Sequence, residues 1–369
     1  MREPASNLIW NMTRKCNFRC EYCYFPHDNT PVEQTLPVDR ILAFLDATGR
    51  EWTVGMTGGE PFIYPGFVDI CAALTENHRI GVDTNLSVSS KVREFARRID
   101  PARVQDLYVA LHIKERERVR GVAAFIENAR LFIDSGFTVI VNYVVHPDLE
   151  ARFQADRDFF AAQGIPVTPR PFRGEHQGRR YPEAYGDRAR AIFADHPEQG
   201  RKVAFNFLGV PCHAGRTLLR MDEDGTVYRC PGDKTVLGNV LDEVRLLDGP
   251  QPCARPRCPC RGLDHVVLGD ACLQLVAGVQ YAVVGDLDAS AAAFARALDL
   301  APGHPCAENN LGVIAFRRGD MAGAGRRFAA ALKTRPLKAA YHENLDMAGS
   351  GGSDCDPELC LDVNLPAEK

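Results

Sequence analysis

From Asn7 to about Pro171, short β-like runs alternate with amphipathic helical stretches, and this alternation limits the possible folds more than any other feature of the chain. Strands are predicted at Leu8–Met12, Trp52–Met56, Ile80–Thr84, Leu107–His112, Val139–Val145 and Pro166–Pro169. Helical patterns lie between them around Asp39–Ala47, Phe67–Glu76, Ser90–Ile99, Val119–Asp134 and Leu149–Ala162. Such a series implies an α/β fold built from right-handed βα units around a parallel sheet. Six strands are too few for a closed eight-stranded barrel; an open or partial barrel and a doubly wound sheet both fit. In each case ligands gather at the carboxyl ends of the strands.

The remaining sequence differs in character. From about Phe172 to Gly262 it is turn-rich, and Arg216–Met221, Asp222-Glu223-Asp224-Gly225 and Thr226–Arg229 read as a β-hairpin with Gly225 in a left-handed position. After about Asp264 a helical repeat emerges. Gly285-Asp286, Phe294, Ala297 and Pro302 recur 34 positions later as Gly319-Asp320, Phe328, Ala331 and Pro336. With 369 residues, the chain is long enough for two or three domains of ~100–200 residues each. A formal charge of −4 supplies no basic field for nucleic acid, and no apolar run approaches the ~18 residues of a membrane span.

Thirteen cysteines are the compositional anomaly. An odd count, with no secretory pattern in MREPASNLIWNM, argues for a reducing, cytoplasmic setting in which thiols are core residues, metal ligands or catalysts. Cys71 sits in an apolar helical stripe and reads as core. Cys306 falls between helices, and Cys355 and Cys360 lie in a Gly/Ser-rich tail expected to be mobile; none of these is expected to have a function. Two clusters remain.

The first cluster is Thr13-Arg-Lys-Cys16-Asn-Phe-Arg-Cys20-Glu-Tyr22-Cys23, directly after the first strand. Three thiolates on one loop can hold three corners of an iron–sulfur cubane and leave the fourth iron open. A structural zinc would need a further ligand, for which His27 is the local candidate. The spacing C-x3-C-x-aromatic-C resembles the radical S-adenosylmethionine (radical SAM) superfamily. The resemblance implies a partial (β/α)6 TIM-like barrel, a [4Fe-4S] cluster on Cys16, Cys20 and Cys23, and S-adenosylmethionine at the open iron. It further implies a 5′-deoxyadenosyl radical that abstracts a substrate hydrogen, and a flavodoxin- or ferredoxin-like reductant.

Gly58-Gly59-Glu60-Pro61 follows the second strand and matches the family's GGEP motif, which implies contact with the methionine ammonium. By similarity Tyr22 lies beside the adenine, and Thr84 and Asn85, after the third strand, and Asn142, in the fifth, contact the cofactor. Arg170, beyond the sixth strand, is placed to meet the methionine carboxylate or an acidic substrate, as is Arg173. His112 departs from the family pattern and either faces substrate or ends its strand as a satisfied histidine. No side chain is identified as a catalytic acid, base or hydrogen donor.

The second cluster comprises Cys212, Cys230, Cys253, Cys258, Cys260 and Cys272. Its C-x12-G-x4-C opening, with Gly225 between Cys212 and Cys230, resembles the SPASM or twitch extensions that bind auxiliary clusters. One auxiliary [4Fe-4S] cluster on Cys212, Cys230, Cys258 and Cys260 is expected, with Cys253 the nearest competitor and zinc the alternative metal. The 34-residue period resembles the tetratricopeptide repeat. The expected organisation is therefore a barrel at 1–200, a cysteine-rich hairpin module at 201–265, all-α repeats at 266–347 and a flexible tail at 348–369. A peptide or protein substrate, reached through the repeats, is favoured. A small metabolite is the alternative, and a repeat protein that binds a partner and keeps metals for structure is the reading from another class.

Overall fold

The computed structural model describes residues 4–23, 35–193, 204–256, 258, 262–350 and 356–362. They form two compact units, one from residues 1–200 and 213–249, the other from 201–212 and 250–369. The stretch expected as one module, 201–265, is thus divided between the two units.

In the first unit, strands β1 (Ser6–Thr13), β2 (Trp52–Gly58), β3 (Arg79–Thr84), β4 (Val104–Ala110), β5 (Val139–Val145) and β6 (Val167–Pro171) pair in parallel in sequential order. That order decides between the two architectures left open by the sequence. A doubly wound sheet reverses its strand order at a switch point, whereas this one runs 1 to 6 without reversal, as in a TIM-type barrel. Closure does not occur, because the free edge of β1 is taken by another strand.

A short ribbon follows the sixth strand, β7 (Gly174–His176) against β8 (Arg179–Tyr181). The chain then passes through β9 (Pro211–Cys212), which belongs to the second unit, and returns as β10 (Leu218–Met221), β11 (Thr226–Tyr228) and β12 (Val236–Asn239). Strand β10 pairs parallel to β1, with Leu8 opposite Leu219 and Trp10 opposite Met221. The result is a nine-stranded sheet in the order β12-β11-β10-β1-β2-β3-β4-β5-β6. This corrects the expectation of a separate hairpin module: the hairpin forms, but as an extension of the barrel sheet. Asn11 Nδ2 donates to Asp222 Oδ1 at 2.8 Å, tying the hairpin turn to β1, and Gly225 takes φ +82° in that turn. A Cβ there would meet Asn239 Oδ1 and Val240 Cγ2, each at 2.9 Å.

The helices of this unit are α1 (Val38–Ala47), α2 (Phe67–Asn77), α3 (Ser89–Arg98), α4 (Ile113–Arg118), α5 (Val122–Asp134), α6 (Phe153–Ala162) and α7 (Asp187–Ile192). A single helix was expected over Val119–Asp134, but the chain breaks at Arg120, whose φ is +53°, with Gly121 next to it. Phe62, Phe67, Phe95, Phe132 and Phe137 form one chain of ring contacts with centroids 4.7–5.7 Å apart. All are buried, each stabilising the fold by roughly 1.5–3 kcal/mol. Cys71, at 0% exposure, is core as expected.

The second unit contains the two-stranded pairing of β9 with β13 (Gln251–Pro252) and the helices α8 (Asp270–Val284), α9 (Leu287–Leu300), α10 (Pro305–Arg317), α11 (Met321–Thr334) and α12 (Ala339–Gly349). The 34-residue period has a packing cause. A Cβ on Gly278 would lie 2.5 Å from Phe294, and one on Gly312 would lie 2.5 Å from Phe328, so each glycine admits the ring of the next helix. Asp286 and Asp320, also 34 apart, cap α9 and α11 by accepting from the backbone N–H of Ala289 and Gly323. The tail expected to be mobile is held over 356–362, with Pro357 and Cys360 buried. Cys306 and Cys360, expected to be without a role, form a disulfide. Cys260 and Cys355 lie outside the described residues.

Candidate active site at the strand ends

The cysteine loop leaves β1 at Thr13 and lies at the carboxyl ends of the strands. Cys16 is half-buried, Cys20 buried and Cys23 exposed. Burial, reinforced by Glu115 and the neighbouring thiols, pushes the Cys20 thiol up to about 12, and burial likewise raises Cys16. Such thiols stay protonated and inert unless a cation replaces their protons.

Gly58 and Gly59 explain how the loop is seated. Gly58 has φ +138°, and a Cβ on it would lie 2.3 Å from the Thr13 carbonyl oxygen; a Cβ on Gly59 would lie 1.9 Å from that of Lys15. With no side chain in the way, Gly59 N–H donates to Thr13 O at 2.7 Å and Glu60 N–H to Lys15 O at 2.9 Å. The Gly-Gly-Glu backbone is therefore the floor on which the cysteine loop rests.

Glu60 is 0% exposed. Its Oε1 accepts from Thr84 Oγ1 at 2.6 Å and Phe62 N at 3.0 Å, and its Oε2 accepts from Asn85 N at 2.6 Å. The side chain expected to offset an ammonium ties the end of β2 to the end of β3. Pro61 is buried at the start of the short 3-10 turn that Glu60 caps. Asn85 Nδ2 donates to Asn17 Oδ1 at 2.9 Å and reaches Cys16 Sγ at 3.8 Å, so the third strand's polar end supports the loop directly.

Tyr22 stands between two imidazoles, its hydroxyl 2.9 Å from His112 Nδ1 and its ring 5.9 Å from that of His146. Burial lowers His112 to about 4, with Arg116 adding to the effect, so the ring is neutral and can accept the Tyr22 proton. On the far side of the mouth, Arg170 Nε donates to Asn142 Oδ1 at 2.7 Å. The structure thus brings together Asn142 and Arg170, chosen separately from the sequence.

One organising residue was missed. Arg116 is 1% exposed, donates to the carbonyls of Leu111, Asn85 and Ala110, and lies 4.0 Å over the Phe125 ring and 5.4 Å from that of Phe18. It links the ends of β3 and β4 to the cysteine loop. In Lys114-Glu-Arg-Glu-Arg118 it reads as one charge on a solvated face; the nearest signal is a helix only six residues long immediately after a strand.

Among the described residues, His146, Asp148 and His176 are the one group of His, Cys, Asp or Glu whose ligand atoms all lie within 4.8 Å of one another. Lys114 Nζ lies 2.9 Å from Asp148 and bonds Glu21 as well, so an ammonium already provides the positive charge there. Cys16, Cys20 and Cys23 are not such a group.

The model of the Radical SAM superfamily matches residues 10–159. The chain carries a radical SAM domain. Among curated relatives of this domain, GTP 3′,8-cyclase 2 of Pseudomonas aeruginosa is 33% identical over 131 residues, 34% of this chain and 38% of that protein. PqqA peptide cyclase of Granulibacter bethesdensis is 24% identical over 155 residues, 39% and 41% of the respective chains. The chain spans less than half the length of the curated relatives it matches. Of solved structures, anSMEcpe with bound AdoMet has a TM-score of 0.49 at 15% identity, covering 65% of this chain and 79% of that one. Streptococcus suis SuiB bound to S-adenosylmethionine has a TM-score of 0.45 at 16% identity, covering 65% and 64%.

For the radical SAM domain the donor set fits the group. Three thiols on one loop at the strand ends suit a cluster that leaves one iron open. The described members of the second cysteine group fall in both units. Cys230 belongs to the first unit, while Cys212, Cys253, Cys258 and Cys272 belong to the second. In that second unit Cys212 pairs with Gln251 across β9 and β13, and Cys253 N–H donates to Val210 O at 2.9 Å. No helix among the described residues is long and apolar enough to cross a membrane.

Proposed function

We propose that the chain is a radical SAM enzyme acting on a peptide or protein. A [4Fe-4S] cluster held by Cys16, Cys20 and Cys23, together with S-adenosylmethionine, supplies a 5′-deoxyadenosyl radical that abstracts a substrate hydrogen. The observation that carries the reading is the seating of the cysteine loop on the Gly58-Gly59-Glu60 backbone at the parallel strand ends. The protein's own part is positional. Glu60, Thr84, Asn85 and Arg116 fix the loop, Tyr22 and His112 form one wall as a neutral hydrogen-bonded pair, and Asn142 orients Arg170 for a carboxylate.

A peptide substrate is supported by the helical repeats of the second unit, which offer a surface for polypeptide. A small metabolite is the second reading, favoured by the similarity to proteins named GTP 3′,8-cyclase. An auxiliary [4Fe-4S] cluster is proposed on the second cysteine group. Its proposed ligands are Cys212, Cys230, Cys258 and Cys260, with Cys253 the nearest competitor. A flavodoxin- or ferredoxin-like protein is the proposed reductant, and the cytoplasm the proposed location.

The test is anaerobic reconstitution, iron counting, and incubation with S-adenosylmethionine and dithionite. The expected result is 5′-deoxyadenosine from the parent and none from Cys20→Ala. A parent that binds four irons but yields no 5′-deoxyadenosine would refute the reading. About four irons retained by a Cys16/Cys20/Cys23 triple-alanine chain would support the auxiliary cluster; zinc in their place would reject it.

A further inference from the structure

In the second unit, the segment Asp356–Asp362 is gripped by its backbone. Asn310, on α10, donates through Nδ2 to the Cys360 carbonyl at 3.1 Å, and its Oδ1 accepts from Cys360 N–H at 2.7 Å. Asn344, on α12, does the same two residues earlier. It donates to the Glu358 carbonyl at 2.9 Å and accepts from Glu358 N–H at 2.8 Å. The two asparagines are 34 positions apart, one repeat period, and are 0% and 1% exposed. Spacing of this kind reads alternate residues of an extended strand, independent of side-chain identity.

Charge marks the two ends of the segment. Arg317 Nη2 lies 2.6 Å from Asp356 Oδ2, and Lys338 Nζ lies 2.8 Å from Asp362 Oδ2. The groove therefore selects an extended polypeptide with a carboxylate at each end of a seven-residue stretch. Its present occupant is joined to it covalently through Cys306–Cys360.

We infer that the groove between α10 and α12 is a binding site for an extended acidic peptide, that residues 356–362 occupy it in cis, and that the Cys306–Cys360 disulfide is the latch. The inference does not depend on the chemistry proposed for Cys16, Cys20 and Cys23. Opening the latch is a thiol–disulfide exchange with a dithiol reductant. The Cys306–Cys360 S–S bond breaks, two thiols form with the two protons and two electrons of the dithiol, and the dithiol becomes a disulfide. The freed segment remains tethered and competes at high effective concentration, so an external peptide binds only when it outcompetes the cis segment.

Two measurements test this on the full chain. The first is hydrogen exchange of peptides spanning 356–362, with and without dithiothreitol. Reduction is expected to speed exchange at Glu358 and Cys360 by about tenfold or more; unchanged exchange would overturn the latch. The second is fluorescence anisotropy of labelled Asp-Pro-Glu-Leu-Ser-Leu-Asp. Glu358→Pro with Cys360→Pro removes both N–H groups that the asparagines hold and the disulfide with them, and so clears the groove while keeping Asn310 and Asn344. That variant is expected to bind the probe at least about tenfold more tightly than the oxidised parent, and Asn310→Ala in the same background to reverse the gain. If the cleared variant keeps the parent's helical circular dichroism yet binds no better than the parent, the site is refuted. Equal binding of a probe with lysines at both ends would refute the charge selection.

Discussion

Glu60→Gln gives the sharpest test of how the cysteine loop is held. The carboxylate accepts three hydrogen bonds from Thr84, Asn85 and Phe62 at complete burial. An amide has one oxygen. If that oxygen keeps the Oε1 position and its two donors, the NH2 group points at the Asn85 N–H, and two donors face each other without water. Each stranded buried donor costs about 1–3 kcal/mol, so the pair costs about 2–6 kcal/mol. At about 2–4 °C per kcal/mol for a unit of this size, the melting temperature of the metal-free protein should fall by roughly 4–24 °C. Because Asn85 also bonds Asn17 in the cysteine loop, iron bound per chain after anaerobic reconstitution should fall as well. Differential scanning fluorimetry reads the first quantity and iron analysis the second. A Glu60→Gln variant that melts within about 1 °C of the parent would show that the buried carboxylate is not the clamp described.

Further outcomes follow from the same structure. Gly59→Ala places a methyl against the Lys15 carbonyl and should prevent the loop from seating, reducing iron incorporation while leaving the far-ultraviolet circular dichroism unchanged. Gly312→Ala should destabilise the second unit by about 1–3 kcal/mol through overlap with Phe328, and Phe328→Leu in the same chain should return part of the loss, as read by urea denaturation. His304 is 2% exposed, and among the described residues neither ring nitrogen has a partner; burial, with Arg335 adding to it, lowers its pKa to about 4. The unfolded chain then binds a proton that the folded one refuses. Its contribution to stability is full above about 6.5 and declines as pH falls toward 4. His304→Leu should flatten urea midpoints over that range, and an unchanged slope would refute the assignment.

What could be read from the sequence follows the range of the forces involved. The βα alternation and the 34-residue repeat are local periodicities, and the elements appear within a few residues of where they are predicted. The order of strands across the sheet is not local. Nothing in Leu218–Met221 says that it will pair with β1, because the pairing is made by backbone groups that every residue has. Cys16, Cys20 and Cys23 drew notice by their spacing and Gly58 and Gly59 by the motif they resemble, and the structure brings the two segments into contact. Arg116 was not legible, since a charge among charges is buried only when carbonyls from separate loops converge on it. The same holds for Asn310 and Asn344, whose partner is a segment that composition alone reads as a free tail.

The outermost strand β6 has a further consequence for how a polypeptide could approach the first unit. Its sequence, Val-Thr-Pro169-Arg-Pro171, lacks two of the amide protons that a visiting strand would need, so the sheet does not recruit another chain alongside its open seam. The opposite margin is closed to β1 by the hairpin. A polypeptide meeting this unit would therefore not add as a strand beside β6; its way to the thiols would lie across the strand tips.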